Sequence, residues 1–213
     1  MDKRFAIFDM DGTLIDSMKF WKNLALEYLS SKGIKQVSEE LLQKIKPMTM
    51  SESAALFQEV FGLSGDVEAE MNAMMDEHYR RDIPLKPGVA AYLEALHRRG
   101  VTMCVASATA EDLMDACLTR LGVAHYFSFL LSCETIGVGK SRPDVYHEAA
   151  KRLGAQPEDI AVFEDALYAA NTAKQARFYT IAVRDDSNQP HWEELTALAD
   201  EKILDWQTAA QTL

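Results

Sequence analysis

Five short apolar runs alternate along the chain with segments of helical periodicity. Continuous apolar runs of this length are typical of strands that are buried on both faces of a sheet. Because strands and helices follow each other in turn, the pattern predicts an α/β fold with a parallel sheet. The predicted strands are Phe5–Phe8, Val101–Ala106, Phe127–Leu131, Ile160–Phe163 and Tyr179–Val183.

One region interrupts this alternation with helical patterns alone. Its first helix is predicted from apolar residues at helical spacing, at Trp21, Leu24, Ala25, Tyr28 and Leu29. Pro84, Pro87 and Gly88 mark the return to the sheet. We therefore expect a small helical cap domain over residues 16–83, inserted into a core domain built from residues 1–15 and 84–213.

Composition excludes several classes of function. The chain has 213 residues, of which 48% are hydrophobic, and 22 basic against 33 acidic side chains give a net charge of −11. This charge repels a nucleic acid polymer. No apolar run is long enough for a membrane span, and no signal peptide precedes Asp9, so we expect a cytoplasmic protein. We also expect a monomer or weak dimer. The three cysteines lack zinc spacing and are expected to be buried thiols.

The strongest chemical signal is the run Asp9-Met10-Asp11-Gly12-Thr13, which follows the first predicted strand. Two carboxylates this close resist joint ionisation unless a cation or a hydrogen-bond donor compensates them. A hard cation such as Mg²⁺ is the natural partner of carboxylate oxygens. A calcium loop is excluded because its sixth position, where glycine is needed, is Leu14. The alternative is a simple turn that Asp9 caps.

Further polar residues follow the later strands, with Ser107 after the second, Lys140 after the third, and Glu164 and Asp165 after the fourth. Taken singly, each has an ordinary explanation as a helix-approach serine, a surface lysine or a pair of charges at a helix N-terminus. The order of these residues along the chain resembles the order of the sequence motifs of the haloacid dehalogenase superfamily. The position of the insert resembles the subclass of phosphoglycolate phosphatases, small-sugar phosphatases and β-phosphoglucomutases, which implies a Rossmann-like parallel core with a helical cap.

This resemblance implies a role for each carboxylate. Asp9 is the expected nucleophile, which attacks phosphorus and forms an aspartyl-phosphate. Asp11 is the expected acid and base, and its backbone carbonyl is a metal ligand in the family. Mg²⁺ is expected on Asp9, Asp11 and Asp165. Glu164 is the less certain ligand, acting through water.

The resemblance also implies a binding site for the transferred phosphoryl group. Ser107 supplies a hydroxyl and Ala108 a backbone amide to the phosphoryl oxygens. Lys140 adds a positive charge to the same oxygens. The expected activity is that of a phosphoric monoester hydrolase on a small phosphorylated metabolite, such as a sugar phosphate or phosphoglycolate.

Departures from the family pattern bear on the choice of reaction. Ser141 follows Lys140 where the family has proline, which loosens the turn but keeps the charge. Trp21 lies about where β-phosphoglucomutases carry a histidine, and residues 46–51 hold no arginine, so a phosphatase is favoured over a phosphomutase. A phosphate-binding regulatory module without turnover is the other alternative. Trp21, Met48 and Thr49 are the candidate substrate-facing residues of the cap.

Two local predictions concern polar residues near the expected site. Thr109 is predicted to be the N-cap of the helix after the second strand. The run Asp185-Asp186-Ser187-Asn188 is predicted to form a solvated turn.

Overall fold

A computed structural model describes residues 2–45, 48 and 50–213. Its centre is a six-stranded sheet in the order β3-β2-β1-β4-β5-β6, and every pair of neighbouring strands is parallel. This arrangement confirms the predicted α/β fold class. The strands are β1 (Phe5–Phe8), β2 (Thr102–Ser107), β3 (Phe127–Ser132), β4 (Ile160–Glu164), β5 (Tyr179–Val183) and β6 (Glu201–Ile203).

The chain divides into two compact units, one of residues up to Met18 together with Ile83–Leu213, and one of Lys19–Asp82. Most helices of the first unit connect successive strands of its sheet. They are α5 (Val89–Arg98), α6 (Glu111–Arg120), α7 (Cys133–Ile136), α8 (Asp144–Leu153), α9 (Leu167–Gln175), α10 (Trp192–Leu198) and α11 (Trp206–Gln211). In the part of the chain that the structure describes, no helix is both long and apolar enough to cross a membrane.

Successive side chains of a strand point to opposite faces of the sheet, so the two faces have separate sets of buried side chains. Ile7 belongs to a cluster in which Tyr146 and Ala149 of α8 are also fully buried. Phe8 points to the opposite face, where its ring stacks on Phe163 with centroids 4.2 Å apart. Trp206 of α11 packs against Phe163 on that same face. Burial on both faces explains why β1 and the central part of β4 are apolar.

The described residues of the second unit form four helices. They are α1, which begins in the first unit (Met18–Ser31), α2 (Glu39–Ile45), α3 (Met50–Phe61) and α4 (Val67–Arg81). Phe57, Met75 and Tyr79 are fully buried within it. Tyr28 donates a hydrogen bond of 2.6 Å to Glu70, which ties α1 to α4. Asp66 caps α4 by accepting a hydrogen bond from the backbone N–H of Ala69.

Candidate active site

The candidate site begins where β1 ends, between β2 and β4. Phe8 pairs with Val105 of β2 on one side and with Phe163 of β4 on the other. The strand order reverses at this place, and in open parallel sheets ligands bind at the carboxyl ends of the strands beside such a switch point. Asp9 is the next residue, and its backbone N–H donates a 3.0 Å hydrogen bond to the carbonyl of Phe163.

A tight turn follows Asp9 and depends on glycine. Gly12 has φ of +79°, and a β-carbon built there would lie 2.4 Å from Oδ2 of Asp165. Any larger side chain at position 12 would collide with that carboxylate. Glycine therefore allows the backbone of the first motif to lie directly against the end of β4. Thr13 then donates a 3.3 Å hydrogen bond from its hydroxyl to Oδ1 of Asp165.

Lys140 lies at the centre of the site and is almost completely buried. Its ammonium group forms ion pairs with Asp9 and, at 2.5 Å, with Glu164. The hydroxyl of Tyr146 donates a 2.7 Å hydrogen bond to the same Glu164 oxygen. Burial alone would lower the pKa of Lys140, but the charges of Asp9 and Glu164 outweigh it and raise that pKa. The lysine therefore stays protonated.

The carboxylates of Asp9, Glu164 and Asp165 offer a site for a cation. One oxygen of each lies within 4.8 Å of the others, and all three residues are buried. Burial raises the pKa of Asp9, Lys140 opposes that rise, and the neighbouring carboxylates add to it. Burial and the charge of Glu164 likewise raise the pKa of Asp165 to about 7. Three buried carboxylates against one ammonium group leave an excess of negative charge. A divalent cation that prefers oxygen ligands would neutralise it.

Asp11 is less buried than Asp9 and has a different partner. The hydroxyl of Thr109 donates a 2.6 Å hydrogen bond to Oδ2 of Asp11. The backbone N–H of Thr109 donates to the hydroxyl oxygen of Ser107, which lies buried at the end of β2. The prediction that Thr109 caps α6 is wrong, because that helix begins at Glu111 after Ala110 and has no side-chain cap. Its hydroxyl instead orients Asp11.

The loop after β5 also differs from its prediction. Residues Asp186–His191 form a short 3-10 helix, and Asp185 and Asn188 are each only 7% exposed. The prediction of a solvated turn is therefore wrong for Asp185 and Asn188, whereas Asp186 and Ser187 are exposed. Asn188 donates from its side-chain amide to the backbone carbonyl of Asp165. No local sequence signal marks Asn188 as a neighbour of the site, since the Asx-rich pattern is typical of any polar turn.

The structure brings together most of the residues that the sequence singled out. Asp9, Lys140, Glu164 and Asp165 form one buried cluster, and Asp11 joins Ser107 through Thr109. Ala108 follows Ser107 and is exposed. Trp21 and Met48 belong to the helical unit, where the indole N–H of Trp21 donates a 3.2 Å hydrogen bond to Tyr79. Thr49 lies outside the described residues.

Buried carboxylates and a lysine at the carboxyl edge of a parallel sheet, beside the switch point, are typical of α/β enzymes. The chain belongs to the family described as haloacid dehalogenase-like hydrolase, whose sequence pattern matches residues 6–183. This confirms the predicted family and the prediction that the chain is a hydrolase.

Individual relatives are similar over nearly the whole chain. Hexitol phosphatase B of Escherichia coli (strain K12) is 28% identical over 204 residues, which cover 93% of this chain and 90% of that protein. A phosphorylated carbohydrates phosphatase of Thermotoga maritima is 27% identical over 80% of each chain. A solved structure of a β-phosphoglucomutase-like protein from Thermotoga maritima has a TM-score of 0.82 at 22% identity, covering 98% of this chain and 97% of that one. The last similarity confirms the Rossmann-like fold.

Proposed function

We propose that the protein is a Mg²⁺-dependent phosphatase that hydrolyses a small phosphorylated carbohydrate through an aspartyl-phosphate. The observation that carries the proposal is the buried cluster of Asp9, Lys140, Glu164 and Asp165 at the carboxyl end of the central strands. The relatives named as hexitol phosphatase and phosphorylated carbohydrates phosphatase support the choice of substrate class. A small soluble phosphomonoester also suits the acidic charge of the chain, which disfavours polyanionic polymers.

The first half of the reaction uses Asp9 and Asp11. A carboxylate oxygen of Asp9 attacks phosphorus, a new P–O bond forms, and the bond from phosphorus to the sugar oxygen breaks. Asp11 donates its proton to the departing alkoxide, so the carbohydrate leaves as an alcohol. The hydrogen bond from Thr109 holds the Asp11 carboxyl group in place for this transfer. Asp9 then carries the phosphoryl group.

The second half releases phosphate. Asp11, now ionised, accepts a proton from a water molecule as that water attacks phosphorus. The bond between phosphorus and the Asp9 oxygen breaks, and inorganic phosphate leaves with the Asp9 carboxylate restored. Lys140 and the Ser107 hydroxyl provide positive charge and a hydrogen-bond donor for the phosphoryl oxygens in both steps.

A magnesium ion would be held by Asp9 and Asp165 side chains and by the backbone carbonyl of Asp11. When bound, it supplies positive charge that offsets the repulsion between the phosphoryl oxygens and the attacking carboxylate. Glu164 is the least direct ligand in this proposal, because one of its oxygens already accepts hydrogen bonds from Lys140 and Tyr146.

The test is phosphate release from a panel of sugar and polyol phosphates, with Mg²⁺ and with EDTA. Wild-type protein should release phosphate only with the metal, and Asp9→Asn should lower turnover by at least about 10³-fold, as loss of a nucleophile does. Asp115→Asn, at an exposed position on α6, is the matched control. Turnover near the wild-type rate in Asp9→Asn rejects Asp9 as nucleophile.

The same panel separates the alternatives. Isomerisation of a sugar phosphate that depends on a bisphosphate primer would identify a phosphomutase. Binding of inorganic phosphate without release from any ester would identify a regulatory module.

A further inference from the structure

The loop after β5 places one buried amide across the ends of two strands. Asn188 donates from Nδ2 to the backbone carbonyl of Asp165 at 3.0 Å and to that of Val183 at 2.9 Å. Its Oδ1 accepts a 3.3 Å hydrogen bond from the backbone N–H of Asp185. Both amide hydrogens and the oxygen thus have partners, which determines how the amide is oriented.

This amide acts where the ladder between β4 and β5 ends. The last paired residues of that ladder are Glu164 and Ala182, so Asp165 and Val183 are one residue beyond it. Asp165 also precedes α9, which starts at Leu167. The carbonyl of Asp165 therefore follows the β4–β5 ladder, and the Asn188 amide binds it there in the place of a ladder partner.

The loop that carries Asn188 is itself anchored. Asp185 pairs with Lys86 at 2.7 Å and accepts two hydrogen bonds from Ser187. Lys86 also donates from Nζ to the carbonyl of Arg184 at 3.0 Å. The backbone N–H of Lys86 donates to the carbonyl of Leu14, just after the first motif. We call Lys86, Asp185 and Asn188 the clasp, because they join the loops after β1, β4 and β5.

We propose that Asn188, held in place by the other clasp residues Lys86 and Asp185, is a positioning residue that orients the Asp165 carboxylate toward the metal. The inference rests on the proposed function, in which Asp165 is a magnesium ligand. The direction of the Asp165 side chain follows from its backbone, whose carbonyl Asn188 holds, while Thr13 holds the carboxylate itself. Residues that orient metal ligands typically alter affinity by about 10–100-fold when they are replaced.

The experiment measures metal binding to the full chain without substrate. Mn²⁺ is titrated into the protein, and the free ion is followed by electron paramagnetic resonance. Asn188→Ala should raise the Mn²⁺ dissociation constant by about 10–100-fold. Asn188→Asp should act in the same direction, because a carboxylate cannot donate to two carbonyl oxygens. Asn171→Ala on α9 is the matched control and should bind Mn²⁺ like wild type.

A second readout separates positioning from a general loss of structure. The Mg²⁺ concentration that gives half-maximal phosphatase activity should rise in Asn188→Ala by a similar factor, and turnover should recover as Mg²⁺ is raised. A folded Asn188→Ala protein with wild-type Mn²⁺ affinity overturns the proposal. So does wild-type protein that binds no Mn²⁺.

A milder variant covers the case in which Asn188→Ala does not fold. Asp185→Asn weakens the pair with Lys86 but leaves the Asn188 amide in place, and it should lower Mn²⁺ affinity by a smaller factor. Unchanged affinity in that variant would count against the clasp. If wild-type protein binds Mn²⁺ but hydrolyses no ester, the proposed function fails while these affinity comparisons still test the positioning role.

Discussion

Replacing Lys140 by methionine removes the only cation shown pairing with Asp9 and Glu164 in the described structure. The lysine side chain is 4% exposed, and those of Asp9 and Glu164 are 9% and 1% exposed. Methionine has a similar length and fills the space without a charge. The substitution therefore isolates the electrostatic role of Lys140 from its packing.

The size of the effect follows from this burial. Removing one partner of a buried ion pair costs about 3–5 kcal/mol, because the remaining charge has no compensation. Here two carboxylates depend on one lysine, so we expect a loss near the upper end of that range at pH 7. For a chain of this length, such a loss corresponds to a decrease in Tm of about 10–20 °C.

The assay is thermal unfolding by scanning calorimetry without added metal. Lys151→Met is the matched control, because Lys151 is 81% exposed and its replacement should change stability by about 0.5 kcal/mol or less. Adding Glu164→Gln to Lys140→Met should restore about 2 kcal/mol, since it removes one of the uncompensated charges. If Lys140→Met costs less than about 1 kcal/mol, as an exposed pair would, the ion pairs do not have the buried character assigned to them.

Two further predictions concern other residues. Asp11→Asn should slow hydrolysis of alkyl phosphates by about 10²–10⁴-fold, but of nitrophenyl phosphate much less, because a good leaving group needs no proton; equal slowing of both, measured as kcat, would contradict the acid role. His78 lies between Asp82 and Glu27, with Phe20 against its ring, and although burial lowers its pKa, these carboxylates outweigh that and raise it. The stability that protonated His78 gains from these carboxylates is fully present below about pH 6.5 and is lost as pH rises through the raised pKa. His78→Gln should therefore lower Tm at pH 6 and leave it unchanged at pH 9.

Local sequence patterns were sufficient for most of the sheet. Five of the strands are mostly apolar, because strands that are buried on both faces hold few polar residues. β6 was missed because Glu201 and Lys202 are exposed at the edge of the sheet and only Ile203 is buried. Charged residues on an edge strand hinder pairing with other chains. They also interrupt the apolar pattern by which a strand is predicted from sequence.

The sequence also indicated the acidic residues of the candidate site, because each follows a strand and parallel strands end at one edge. The roles given to them remain predictions that the experiments above test. Tertiary structure alone decided which partners these residues have. Lys140 meets Asp9 across 131 positions of the chain, and Asn188 reaches Asp165 across 23.

The physical reason for this division is the range of the interactions. Periodicity, turn glycines and strand-end carboxylates depend on neighbours along the chain, so they can be read from sequence. A buried lysine and a surface lysine have the same local sequence signature, and so do a buried asparagine and one in a solvated turn. What separates them is whether distant segments supply opposite charges and carbonyl oxygens, and only the folded packing of β1, β4 and β5 determines that.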